Sequence, residues 1–162
     1  MNKALLLIDL QNDYFPGGAM ELVGADAAGA QAAKLLDAFR RKSLSVIHIQ
    51  HVSLRAGATF FLPDTRGVEI HSSATPRAGE SVFNKHYPNA FRETPLLDYL
   101  RGNTITQLVI AGMMTQMCID TSTRAAADLG FACTVAHDAC ATRALSFGST
   151  TVAAADVQAA FM

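Results

Sequence analysis

The stretch Leu108-Val109-Ile110-Ala111-Gly112-Met113-Met114-Thr115-Gln116-Met117-Cys118 decides how this chain is read. Four apolar residues run into a glycine, as in a strand buried on both faces of a sheet. A short turn follows, and Ile119 to Gly130 has helical character, with Gly130 where helices often end. Thr115 is a candidate cap, because its hydroxyl can accept a hydrogen bond from a free amide of the first turn. Cys118 then sits near the start of a helix that begins where a buried strand ends. Helix N-termini carry partial positive charge and unpaired N–H groups. A thiol placed there is more easily a thiolate, which is the nucleophilic form. The competing reading is a packing thiol, since free cysteine is among the most buried residue types.

Outward from this elbow the chain alternates. Ala4 to Ile8 is a continuous apolar run with Asp9 at its end, followed by turn residues from Gln11 to Gly18. Ala25 to Lys42 places Ala28, Ala32, Leu35, Leu36 and Phe39 on one helical face and ends on Arg40, Arg41 and Lys42, which suits the helix dipole. Ser45 to Gln50 is a second strand, Ser81 to Phe83 a third with Lys85 just beyond it. Thr94-Pro95 opens a short helix through Leu96, Leu97 and Leu100 that stops at Gly102. Gln107 to Ala111 is the strand before the elbow. Ala132 to Ala136 is another, after which Asp138 to Thr142 turns away. Ser149 to Phe161 reads as a final helix, and the alternation calls for one more strand than the sequence supplies. Residues 51–80 lack regular patterning, and their Phe60-Phe61-Leu62 predicts a site lining or a subunit contact.

This alternation predicts a single α/β domain over residues 1–162: a parallel sheet with helices on both faces, a Rossmann-like three-layer arrangement. Ligands of such sheets bind outside the carboxyl ends of the strands. Asp9, Lys85 and Cys118 all fall at such ends. Composition agrees with a globular domain: of 162 residues, 50% are apolar and 17% charged. A net charge of −1 gives no footprint for nucleic acid or an anionic membrane. No apolar run is long enough for a signal sequence or a membrane span. The cysteines, Cys118, Cys133 and Cys140, are odd in number with no CxxC pair, which points to a reducing, cytoplasmic setting rather than a disulfide framework.

Three reactive groups suggest a mechanism. Asp9 can take the thiol proton of Cys118 and later give it to a leaving amine. Lys85 can keep Asp9 ionised and lower the thiol pKa. The backbone amides of Met114 and Cys118 can stabilise a tetrahedral oxyanion. The reaction class is acyl transfer from an amide to water through a thioester. Phe15, Phe60 and Tyr87 are candidates for an apolar substrate wall, with packing as the alternative. Asp13 is read as a turn former, and Cys133 and Cys140 as packing residues.

Three motifs in this order resemble one family: Leu7-Ile8-Asp9-Leu10-Gln11-Asn12-Asp13-Tyr14-Phe15, then Phe83-Asn84-Lys85-His86-Tyr87-Pro88-Asn89-Ala90-Phe91, then Ala111 to Ala126 around Cys118. The chain is similar almost throughout to the isochorismatase-like cysteine hydrolases, which include nicotinamidases, carbamoylsarcosine amidases and ureidoacrylate amidases. The resemblance implies an Asp9–Lys85–Cys118 triad, a cis peptide at Met113-Met114 that aims the Met114 amide into the oxyanion hole, and a homodimer or homotetramer. Nicotinamidases carry a metal on an aspartate and histidines on and after the second strand. Here that region reads His48-Ile49-Gln50-His51-Val52, without the aspartate, so no metal and no cofactor are expected. True isochorismatases commonly lack the cysteine, so Cys118 argues against vinyl-ether hydrolysis. The leading expectation is a metal-independent amidase of small molecules. The alternatives are ester or isochorismatase-type hydrolysis on the same scaffold, or an idle binding or scaffold subunit.

Overall fold

The computed structural model of the chain describes residues 2–162. Strands β1 (Asn2–Ile8), β2 (Ser45–His51), β3 (Ser81–Lys85), β4 (Ile105–Met113) and β5 (Ala132–Ala141) form one sheet in the order β3-β2-β1-β4-β5. Every neighbouring pair is parallel. The helices are α1 (Ala25–Arg41), α2 (Leu96–Gly102), α3 (Asp120–Asp128) and α4 (Ala154–Phe161).

The side chains of β1 divide the core. Leu5 and Leu7 join Ala28, Ala32, Leu36 and Phe39 of α1 on one face. Ala4, Leu6 and Ile8 join Leu96, Leu100 and Ala126 on the other. Because both faces are covered, β1 reads as one unbroken apolar run although its residues alternate sides. This is the expected α/β architecture.

Gly112 decides the geometry of the elbow. Its φ is +134°, and a Cβ there would overlap the carbonyl oxygen of Ile8 on the adjacent strand. Only glycine lets β4 approach β1 this closely before the chain turns. The Met113–Met114 peptide that follows is cis.

Three expectations are corrected. Thr115 does not cap the elbow helix: it is the first residue of a π-helical turn, Thr115–Ile119, and Met114 occupies the cap position. Its hydroxyl instead donates to Gln158 Oε1 at 2.6 Å and lies 3.3 Å from the Ala141 carbonyl, tying α4 to the elbow. β5 continues past Ala136 to Ala141, after a shift in its pairing with β4 between Ile110 and Gly112. The segment before α4 is a hairpin, β6 (Leu145–Phe147) and β7 (Thr150–Val152), so the final helix begins only at Ala154. Its β-branched Thr150, Thr151 and Val152 favour strand over helix. Among the described residues, no helix is long and apolar enough to cross a membrane.

Candidate active site

Asp9, Lys85 and Cys118 converge at the carboxyl edge of the sheet. Asp9 follows β1 with φ +53°, and its amide donates to the Ile49 carbonyl of β2 at 3.0 Å. Aspartate tolerates this left-handed conformation better than most residues, which lets the carboxylate leave the strand at once. Lys85 ends β3, two strands away, and its long side chain reaches back so that Nζ lies 2.8 Å from Asp9 Oδ2. Both side chains are wholly buried. Cys118 sits in the π-helical turn after β4, with Sγ 3.2 Å from Lys85 Nζ. Single π-turns of this kind are frequent at functional sites.

Cys118 is buried, at 5% exposure, rather than partly exposed as its elbow position suggests. Burial pushes its thiol well up, Asp9 pushes it further, and Lys85 opposes both. The expected thiolate-favouring environment is therefore not that of the resting site. Burial and Asp9 both favour the protonated thiol, because a thiolate here would put a second negative charge beside the carboxylate. Burial works against the Lys85 charge, but Asp9 and Cys118 outweigh it and raise its pKa. Asp9 Oδ1 is buried without a hydrogen-bond partner among the described residues and is free to receive the thiol proton.

The neighbouring residues are set by the segment with no sequence period. Gln11, fully buried, accepts from the His51 amide at 2.7 Å and donates to the carbonyls of His51 at 2.9 Å and Val68 at 2.6 Å. Asp13 accepts from the Ala19 amide at 3.1 Å within its own loop, and also from the Phe61 amide at 2.6 Å, 48 residues away, a long-range tie beyond the turn-forming role expected of it. Phe61 is thereby drawn inside, edge-on to Tyr14 with ring centroids 4.6 Å apart. The Phe60-Phe61-Leu62 patch is thus mostly folded inward, not exposed: Phe61 is fully buried and Phe60 half-buried. Tyr14 has its hydroxyl pKa raised by burial, then by Asp9 and Cys118.

A cavity of about 660 Å³ opens at this edge, lined by His51, Arg55, Phe60, His86, Tyr87 and Met117 among others. Phe60 and Tyr87 both line it, whereas Asp9, Lys85 and Cys118 are not among its lining residues. Phe15 does not line it, and its assignment is corrected: it is buried and stacks on His71 at 3.5 Å, facing a different cavity beside Asp13 and Gly67. Met117 and Arg55 were missed, since nothing in an irregular loop or a single methionine marks a lining residue before the fold is known.

His48 and His51 do not form a metal centre together. Three residues apart on one strand, they point to opposite faces. His48 meets Glu80 at 3.0 Å, within a network that also contains Arg40. One oxygen, nitrogen and sulfur atom of Asp9, His51 and Cys118 do lie within 4.8 Å of one another. The cation among them is Lys85, bonded to all three, so these residues do not fit the aspartate-and-histidine metal of nicotinamidases. Cys133 and Cys140 lie elsewhere, and burial raises both thiols, Cys140 to about 12.

A doubly covered parallel sheet with an aspartate, a lysine and a cysteine at its carboxyl edge defines a class of hydrolases. The isochorismatase domain family matches residues 3–160, and the chain belongs to that family of hydrolases. It is 46% identical to the uncharacterized isochorismatase family protein YddQ of Bacillus subtilis, over 100% of this chain and 90% of that one. The structure of a putative isochorismatase hydrolase from Oleispira antarctica superposes with a TM-score of 0.95 at 52% identity, covering 99% of this chain and 86% of that one. A more distant relative is the maleamate amidohydrolase of Pseudomonas putida, 31% identical over 79% of this chain and 67% of that protein.

Proposed function

We propose that the protein is a cysteine-dependent amidohydrolase of small molecules, with Cys118 as nucleophile and Asp9 as proton shuttle. The observation that carries this reading is the contact of one buried ammonium, Lys85, with both a carboxylate at 2.8 Å and a thiol at 3.2 Å. A packing thiol has no use for that arrangement. The maleamate amidohydrolase relative supports an amide as the bond class.

The steps balance as follows. As Cys118 Sγ bonds to the amide carbon, its proton passes to Asp9, and the carbonyl oxygen becomes the oxyanion facing the amides of Met114 and Cys118. Lys85 offsets the negative charge that moves from Asp9 to that oxygen. The C–N bond then breaks, and Asp9 returns the proton to the departing amine, leaving a thioester on Cys118. Water attacks the thioester, Asp9 takes its proton, the C–S bond breaks, and the proton returns to sulfur. A base that is weak in water is sufficient because transfer occurs as the S–C bond forms, not beforehand.

A panel of small primary amides with matched esters, assayed for ammonia or acid release, tests the reading. Amide turnover that is lost in Cys118→Ala supports it. Turnover of esters alone, or equal turnover by Cys118→Ala, overturns it. A panel without any turnover favours an idle scaffold.

A further inference from the structure

Lys85 has three N–H bonds and no contact with solvent. One donates to Cys118 Sγ, and the ammonium lies 2.8 Å from Asp9 Oδ2 as an ion pair. Another meets Nδ1 of His51 at 2.8 Å. An ammonium has no lone pair, so Nδ1 is the acceptor, and the neutral ring carries its proton on Nε2. Burial, then the Lys85 charge, pushes His51 down to about 4, so the ring is neutral around pH 7. His51 lines the cavity beside the site.

The ring is held in place from two sides. Gln11 binds both the N–H and the carbonyl of His51, fixing the end of β2. The register of β2 on β3 sets His51 directly beside Lys85, and the Phe61 ring lies 5.8 Å from the imidazole. A buried lysine that lost this acceptor would keep an unpaired donor, which favours loss of its charge or a shift of its nitrogen. A carboxylate in the same place would compete with Asp9 for the ammonium. A neutral acceptor completes the lysine without drawing it away.

We propose that His51 is a positioning residue for the reaction: its Nδ1, as a neutral acceptor, holds the Lys85 ammonium between Asp9 and Cys118. The ring that lines the cavity then has one fixed tautomer, protonated on Nε2. The proposal rests on the amidohydrolase reading only for its turnover measurement.

Ring ¹⁵N–¹H correlation on the native protein at pH 7 reads the tautomer, with the signal assigned by its loss in His51→Asn. The expected pattern is Nε2 protonated and Nδ1 bare. A proton on Nδ1, in either the other tautomer or the cation, overturns the proposal. Two variants read the consequence. His51→Leu keeps bulk and removes the acceptor, whereas His51→Asn returns an oxygen close to the place of Nδ1. Iodoacetamide alkylation of Cys118 should shift its pH midpoint upward by about one unit in His51→Leu, because Lys85 opposes the raised thiol pKa, and recover most of that shift in His51→Asn. For an amide found by the panel, kcat should fall about tenfold or more in His51→Leu with KM nearly unchanged, and largely recover in His51→Asn. A His51→Leu protein that alkylates and turns over like the native one overturns the proposal. If no amide is hydrolysed, tautomer and alkylation still decide the role of His51, so its failure is distinct from failure of the amidase reading. If His51→Leu does not fold, the tautomer decides alone.

Discussion

Asp9 Oδ2 and Lys85 Nζ form an ion pair 2.8 Å long that no solvent reaches, and Asp9 is the principal charge acting on Lys85. Two such ions in a dry site are costly to desolvate and are retained for chemistry more readily than for stability. Removing one partner leaves the other buried and uncompensated. Asp9→Asn and Lys85→Met should each destabilise the protein by about 3 kcal/mol, read from urea midpoints. The double variant should recover a large part of that loss. Additive losses would show that the two charges are not coupled.

Gly112 gives a backbone test of the elbow. Gly112→Ala needs a Cβ where the Ile8 carbonyl oxygen lies, at a φ that L-residues rarely adopt. The atoms in the way are Ile8 backbone rather than a flexible side-chain end, so β1 and β4 have to separate. A loss of about 3 kcal/mol or more in stability is expected, with loss of turnover. A variant as stable as the native protein would mean that the strands part easily here.

Glu80 gives a pH dependence away from the site. Burial raises its pKa, but the hydrogen bonds of Arg40, the Arg77 amide and His48 outweigh this and hold it at about 2, below an ordinary value of 4.5. A depressed carboxylate contributes stability that is fully present above its unfolded pKa and is lost as pH falls toward the folded one. The window is therefore from about pH 5 down to pH 2, and the contribution is roughly 2–3 kcal/mol. Glu80→Gln should lower the urea midpoint at pH 7 and flatten its fall between pH 5 and 2.5. Parallel curves for the two proteins would remove this role.

The most exposed large apolar side chain is near the C-terminal end of the chain. Phe147, at the turn of the β6–β7 hairpin, is 92% exposed, and Phe161 and Met162 are also exposed. A lone two-stranded hairpin is marginal in water, and bare aromatics at its tip suit burial against another surface. We propose a homodimer or homotetramer that covers it. Light scattering at micromolar concentration should give a multiple of the chain mass, and Phe147→Ser should lower it. A monomeric native protein sinks the idea.

Much of this was legible in the sequence because periodicity and strand ends are local signals. The unbroken run of Ala4 to Ile8 and the glycine after Ala111 fixed the parallel core and the elbow. Asp9, Lys85 and Cys118 could be singled out because each follows a strand that the pattern already located. What could not be read depends on contacts distant in sequence. His51 becomes Lys85's neighbour only through the β2–β3 register. Phe15 and Phe60 look alike as aromatics in loops, but Asp13 ties down Phe61 next to the second while α1 covers the first. Thr115 had the right chemistry for a cap, yet the hydroxyl is taken by Gln158, 43 residues away.

The resting protonation of Cys118 leads to the last prediction. Burial and the Asp9 charge both disfavour a thiolate, and only Lys85 favours one. If Asp9 acted merely by helping to form a standing thiolate, removing its charge would weaken the nucleophile. The electrostatics run the other way: without that anion the thiol pKa falls, so Asp9→Asn should have more thiolate at pH 7 than the native protein. Iodoacetamide should then label Cys118 faster in Asp9→Asn, while amide hydrolysis, which needs a group to receive and return the proton, should be abolished. Cys118→Ser should also be inactive, since a hydroxyl is far harder to deprotonate than a thiol. Under denaturing quench, native protein with a slow amide substrate should carry the acyl mass on the peptide containing Cys118, and neither Cys133 nor Cys140 should carry it. Slower labelling together with retained hydrolysis in Asp9→Asn would assign the proton transfer to some other group.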